Sequence, residues 1–192
     1  MLSKAKHLYF RRGATRRNNQ RLKAWPRGLR ALRCSFDPLR MTVPEITVRN
    51  RQRKIKVNVA ELEKFAGDAL KRCLRLKKDK RTDLRKLNAI YVWLVSDRRI
   101  SRLHFQFFGV NSATDVITFH DGEIFISVET ARRNAREFGN SLMSEIKLDI
   151  MHGLLHLHGF DDHEPADLRT MKNTQERILS CLGVQIGTVS QV

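Results

Sequence analysis

Apolar and polar positions alternate or recur in ways that divide most of this chain into short elements. Residues 46–48 and 55–59 are β-rich runs separated by basic residues. From 60 to 77, Leu62, Phe65, Ala66, Ala69, Leu70 and Cys73 recur at spacings of three and four. That spacing predicts an amphipathic helix with one buried stripe. Residues 89–95 (AIYVWLV) form a continuous apolar run of strand length, as expected of a strand covered on both faces. Ser96 and Asp97 then cap a short helix through Phe107. Residues 114–120 alternate as a strand does, Asp121-Gly122 is a turn dipeptide, and 123–127 reads as a second strand. A polar helix is predicted over 129–138, stopped by Gly139, and a longer one over 141–158, capped by Ser141 and closed by Gly159. A last helix covers 164–182, with Pro165 in its first turn and Leu168, Met171, Ile178 and Leu182 available to the core. Strands and helices in this mixture, with no internal repeat, predict a single α/β layered domain: a small mixed sheet packed with helices.

Before residue 44 the pattern fails. Residues 1–43 hold three Lys and nine Arg against Asp37 alone, and Pro26, Gly28 and Pro38 interrupt any helix. The expected organisation is therefore a basic arm (1–43), a domain (44–185) and a tail (186–192). An RNA-binding tail and an organelle transit peptide both suit the arm's composition. A third reading, in which Met41 is the true start, is preferred because folded pattern begins just after it.

The whole chain carries a net charge of +17, most of it in the arm. Such a surplus implies an anionic partner. A second basic run lies at 71–86, with nine basic and two acidic residues. It suits a solvated helix end and loop as well as an RNA-binding patch. With 41% hydrophobic residues the chain is globular rather than disordered. No apolar stretch approaches the roughly 20 residues of a membrane helix, and no secretory leader is visible. Cys34, Cys73 and Cys181 are too scattered for a disulfide framework, which makes a reducing compartment the expectation.

One stretch concentrates the chemistry: four of the seven histidines fall within 151–163, MHGLLHLHGFDDH. His152 and His156 are one helical turn apart and project from the same face, so two imidazoles can converge on one metal ion. Gly159 breaks the helix, and the turn at Phe160-Asp161-Asp162 can return His163 to the same ion. Three histidines leave an open position for water, the layout of a catalytic rather than a structural zinc site. His158 is out of phase and is read as a non-ligand. Asp161 and Asp162 can make the turn, orient a ligand or act as a base. The zinc-protease signature places Glu directly after the first His; Gly153 stands there and supplies no base.

The stretch HGLLHLHGFDDH resembles the signature of the YbeY-type endoribonucleases, the rRNA maturation factors, whose pattern is His-Gly-x-x-His-Leu-x-Gly-aromatic-Asp-His. The TDVITF block at 114–119, followed by GEIFIS at 122–127, is similar to that family's strand pair, and the likeness extends over roughly residues 45–183. The resemblance implies a single-strand-specific, metal-dependent endoribonuclease with one Zn²⁺ per chain at His152, His156 and His163. It further implies maturation of the small-subunit rRNA 3′ end and ribosome quality control in the cytoplasm. Its partners would be rRNA and the small ribosomal subunit, with no membrane. The chain departs from the pattern twice. An extra Asp lengthens the turn before His163, so either His163 or Asp162 takes the third place; His163 is preferred because a neutral imidazole matches the other two. An Arg often found before the strand block is replaced by Phe108.

Zinc held by neutral ligands can lower the pKa of bound water to about 7 and stabilise charge on a phosphate oxygen. Thr114 and Asp115 are candidates to line the substrate cleft, although Asp115 equally suits a cap at the strand entry. Arg98 and Arg102 are candidate phosphate contacts, with a solvated helix face as the plainer reading. Phe105, Phe107 and Phe108 could stack bases, with core packing expected for most of them. The rival to the enzyme is a non-catalytic, ribosome-associated RNA-binding factor with a structural metal.

Overall fold

The computed structural model describes residues 8–10, 43–76 and 84–187. Most of the basic arm, residues 77–83 of the second basic run and the end of the tail lie outside the described residues. Among the described residues five strands form one mixed sheet: β1 (Leu8–Phe10), β2 (Glu45–Asn50), β3 (Ala89–Val95), β4 (Val116–Phe119) and β5 (Glu123–Ser127). Their order is β1-β4-β5-β3-β2. Only β4 and β5 run antiparallel; β1 pairs with β4, β3 with β5 and β2 with β3 in parallel. Of the tight hairpin and the wider connection that the turn dipeptide left open, the hairpin at Asp121-Gly122 forms, with Gly122 at φ +96° and its ideal Cβ position 2.7 Å from the Ala89 carbonyl. The arm therefore contributes an edge strand that the sequence pattern did not reveal.

Among the described residues five α-helices accompany the sheet: α1 (Val59–Arg75), α2 (Asp97–Phe108), α3 (Val128–Glu137), α4 (Leu142–Leu157) and α5 (Pro165–Cys181). Side-chain alternation along the strands sorts them into layers. Ile90, Val92, Leu94, Val116, Ile124 and Ile126 join one core with residues of α1, α3, α4 and α5. Trp93, Val95, Ile117, Phe119 and Phe125 join a second, smaller core under Ile100 and Leu103 of α2. Strand β3 is thus covered on both faces, except at Tyr91, which stays exposed. The six stripe residues of α1 are all buried, as their spacing requires.

Capping fixes where the helices begin. Asn58, Ser96, Ser127 and Ser141 accept from backbone N–H groups three residues on. Asp97 ties α2 to α3: it accepts from Ser127 Oγ, from Thr130 Oγ1 at 2.7 Å and from Arg133 at 2.7 Å. Burial would raise its carboxyl, but these hydrogen bonds and the Arg133 charge outweigh it and hold the pKa below the ordinary value.

Two expectations are corrected. Residues 55–59 form no strand, because the buried Gln52 side chain donates to the Ile55 carbonyl at 2.7 Å and accepts from its N–H at 2.9 Å. Those bonds satisfy the Ile55 backbone, where a ladder would have begun, and Asn58 turns directly into α1. Leu168 is exposed rather than in the core: residues 164–170 all stand clear of the body, and the buried stripe of α5 begins at Met171 and continues through Ile178 and Leu179. Beyond α5, Val184 is buried, Ile186 packs on the main core and Gly187 N–H donates to Asn140. Among the described residues no helix is long and apolar enough to cross a membrane. Burial pushes the Cys73 thiol up, whereas Cys181 lies at the surface.

Candidate metal centre

Helix α4 is the central helix of the main core, and its last two turns are buried all round. Gly153 explains how closely it sits on the sheet. A Cβ there would lie 2.9 Å from both Cδ1 and Cγ2 of Ile124 and 3.0 Å from Thr118 Oγ1. Glycine at this position, where a zinc protease carries its base, is a packing requirement of this helix against β4 and β5.

His152 and His156 project together from α4, 5% and 2% exposed. Their rings meet edge to face, and their Nε2 atoms are 3.0 Å apart. The other ring nitrogens are oriented from outside the pair. Nδ1 of His156 donates to the Phe160 carbonyl at 3.1 Å, and Nδ1 of His152 donates to Gln175 Oε1 at 3.2 Å. With the proton on Nδ1 in each neutral ring, both Nε2 lone pairs aim at one point. A proton shared between the rings or a cation between them relieves that opposition.

The third donor in reach is a carboxylate. Asp162 Oδ2 lies 3.7 Å from His152 Nε2 and 3.8 Å from His156 Nε2, with its side chain 11% exposed. His152, His156 and Asp162 thus form a group of potential metal ligands on one side of the turn. His163, preferred from sequence as the third ligand, stands outside this group: its side chain is 73% exposed and its Nδ1 bonds Asp161. The local reason is the Asp161 side chain. Asp161 accepts from the backbone N–H of Asp162 at 2.7 Å and of His163 at 3.2 Å, closing a local turn that swings Asp162 inward and His163 outward. Burial of Asp161 is outweighed by these bonds, so its pKa is lowered; the hydrogen bond to Asp161 raises that of His163.

Two imidazoles and one carboxylate suit a divalent first-row metal such as zinc or iron. Relative to three neutral histidines, the carboxylate reduces the net positive charge by one and so weakens acidification of a bound water.

The remaining sequence candidates lie elsewhere. Thr114 and Asp115 are 3% and 2% exposed at the entry to β4. Asp115 accepts from Thr114 Oγ1 at 3.1 Å and from Val116 N–H at 2.8 Å, the strand-entry cap rather than an open cleft wall. Arg98 and Arg102 are exposed on α2, which covers the sheet face opposite α4. Phe107 packs edge to face on Phe119 and Phe108 on His104. His158 is fully buried, its Nε2 donating to the Leu76 carbonyl, as a non-ligand.

Gln175 was not legible as a site residue. Its one sequence signal is a polar residue four after Met171 and three before Ile178, inside the apolar stripe of α5. Asp149 and Glu145 give a similar signal on α4, one and two turns before the histidines, and both are buried. Burial, together with the neighbouring Asp115 and Glu145, raises Asp149 well above the ordinary carboxylate range.

A small mixed sheet packed with helices, whose central helix and following turn bring two His and one Asp donor together, defines an α/β layered domain with a cluster of potential metal ligands. The family described as Endoribonuclease YbeY matches residues 47–183, and the chain belongs to that family. Endoribonuclease YbeY of Gluconobacter oxydans is 37% identical over 98 residues, a match covering 48% of this chain and 58% of that protein. That of Nautilia profundicola is 39% identical over 119 residues, covering 53% of this chain and 84% of its own. The solution structure of TM1509 from Thermotoga maritima is similar with a TM-score of 0.50 and 25% identity, covering 72% of this chain and 91% of that one.

Proposed function

We propose that this protein is a metal-dependent endoribonuclease that cleaves single-stranded rRNA, with maturation of the small-subunit 3′ end and ribosome quality control in the cytoplasm as its setting. The convergence of the His152 and His156 Nε2 atoms, with Asp162 beside them, carries the reading. His152, His156 and Asp162 would hold one Zn²⁺, which when bound supplies a Lewis acid for phosphate oxygen and an acidified water. The chain's own residues prepare that site. Gln175 and the Phe160 carbonyl hold the imidazoles in the Nδ1–H tautomer. Asp161 braces the turn that carries Asp162. The name shared by the two bacterial relatives quoted above supports RNA phosphodiester cleavage.

The test is purified protein, loaded with zinc and incubated with single-stranded rRNA fragments, beside the chelated protein and His156→Ala. Cleavage that requires the ion and falls by orders of magnitude in the variant supports the proposal. Cleavage that survives both sinks it. Tight RNA binding without cleavage, with the ion needed for folding, makes the protein a non-catalytic ribosome-associated factor instead.

A further inference from the structure

Helix α2 has a face its packing does not explain. Ile100, Leu103 and His104 turn inward and are buried. The opposite stripe carries Arg98, Ser101, Arg102 and Phe105, at helical spacing. With Asn111 from the following loop, these residues line an open depression of about 330 Å³. Phe105 is 58% exposed. An aromatic ring left in water on a helix surface contributes little to the fold. Arg98 and Arg102 are also exposed, and no ion pair among the described residues engages either. Other arginines do hold structural posts: Arg133 bonds Asp97, Arg51 lies over the Trp93 ring and Arg72 reaches the Cys181 carbonyl.

We infer that this stripe is an anchoring subsite for single-stranded RNA, on the sheet face opposite the metal centre. The inference rests on the endoribonuclease reading for its ligand. The chemistry selects that ligand. Two guanidiniums one turn apart meet successive phosphates with charge and forked hydrogen bonds. A base needs an open aromatic face, and Phe105 offers one beside them. Asn111 and Ser101 add donors and acceptors at the rim for base edges or a ribose hydroxyl. An acidic peptide would use the arginines but has no use for the ring. A membrane surface would need a continuous apolar area rather than one phenyl group beside two cations.

The test is fluorescence anisotropy of labelled single-stranded RNA with the full chain, under chelation so that no strand is cut, across a salt series. Arg98→Ala/Arg102→Ala should weaken binding and flatten the slope of log affinity against log salt by about 1.4, about 0.7 for each phosphate lost. Phe105→Ala should weaken binding about tenfold or more with the slope unchanged, and Phe105→Trp should restore it. All three positions are exposed, so thermal unfolding should match wild type, confirming that the variants fold. Wild-type affinity and slope in the double variant overturn the inference. So does a Phe105→Ala variant that binds RNA normally, or polyglutamate competing as well as RNA of equal charge. If patch variants bind normally while the zinc-loaded wild type still cuts RNA, only the subsite fails. If the wild type binds no single-stranded RNA at all, the endoribonuclease reading fails with it.

Discussion

Gly153→Ala isolates the contact that sets α4 on the sheet. In an isolated helix the change should help, because alanine is favoured over glycine by about 1 kcal/mol. Here the added methyl meets Ile124 Cδ1 and Cγ2 at 2.9 Å and Thr118 Oγ1 at 3.0 Å. Ile124 is fully buried in β5, in register with Val92 of β3 and Thr118 of β4. A rotamer change there would exchange one clash for another, so α4 must lift. Overpacking of this kind costs about 1–3 kcal/mol and can exceed that, which outweighs the helix gain. The expected net loss is about 1–2 kcal/mol, or about 3–8 °C in Tm. Because His152 and His156 ride on the same turn, zinc affinity should fall as well. Urea unfolding of the metal-free protein and a chelator-competition zinc titration measure the two effects. Ile124→Val deletes Cδ1 and leaves Cγ2, so the double variant should lose less than the sum of the singles by about 0.5 kcal/mol or more. A Gly153→Ala protein stabilised by the full helix propensity, with unchanged zinc affinity, would refute the close-approach argument.

The remaining predictions concern the donors and the buried acid. Asp162→Ala should abolish stoichiometric zinc binding, measured by elemental analysis after dialysis, whereas His163→Ala should retain the ion; the opposite ranking would return the third place to His163. Gln175→Leu removes the acceptor that fixes the His152 tautomer and should weaken zinc binding about 10–100-fold, and equal affinity in competition titrations would show that Gln175 is a bystander. Asp149 has a raised folded pKa, so its contribution is fully present below the unfolded value and is lost as pH rises toward the folded one, by up to about 1.4 kcal/mol per pH unit inside that window. Asp149→Asn has no such titration, so its stability relative to wild type should grow as pH rises above the ordinary carboxylate range in urea unfolding; a constant difference would mean that the carboxyl is ionised in the folded protein.

Local rules made much of the molecule legible in advance. Helical spacing identified all six buried residues of α1, and cap residues set the starts of α2 and α4. Asp121-Gly122 marked the turn between β4 and β5, and the four-residue interval between His152 and His156 delivered the paired imidazoles. Each depends on neighbours within about a helical turn or a tight turn, where backbone geometry leaves few alternatives. What local rules left open depended on competition between alternative or distant partners. Side chains replaced expected bonds in two places: Gln52 displaced a ladder at residues 55–59, and Asp161 redirected the turn so that Asp162, not His163, faces the histidines. Gln175 reaches His152 across 23 residues, and the tolerance for nothing larger than glycine at 153 is set by Ile124 on a strand far earlier in the chain. The sequence alone determined which residues could bind a metal, because ligand chemistry and helical phase are local. Only the tertiary structure decided which of them meet, because one added residue in a turn changes which of the side chains after it point inward.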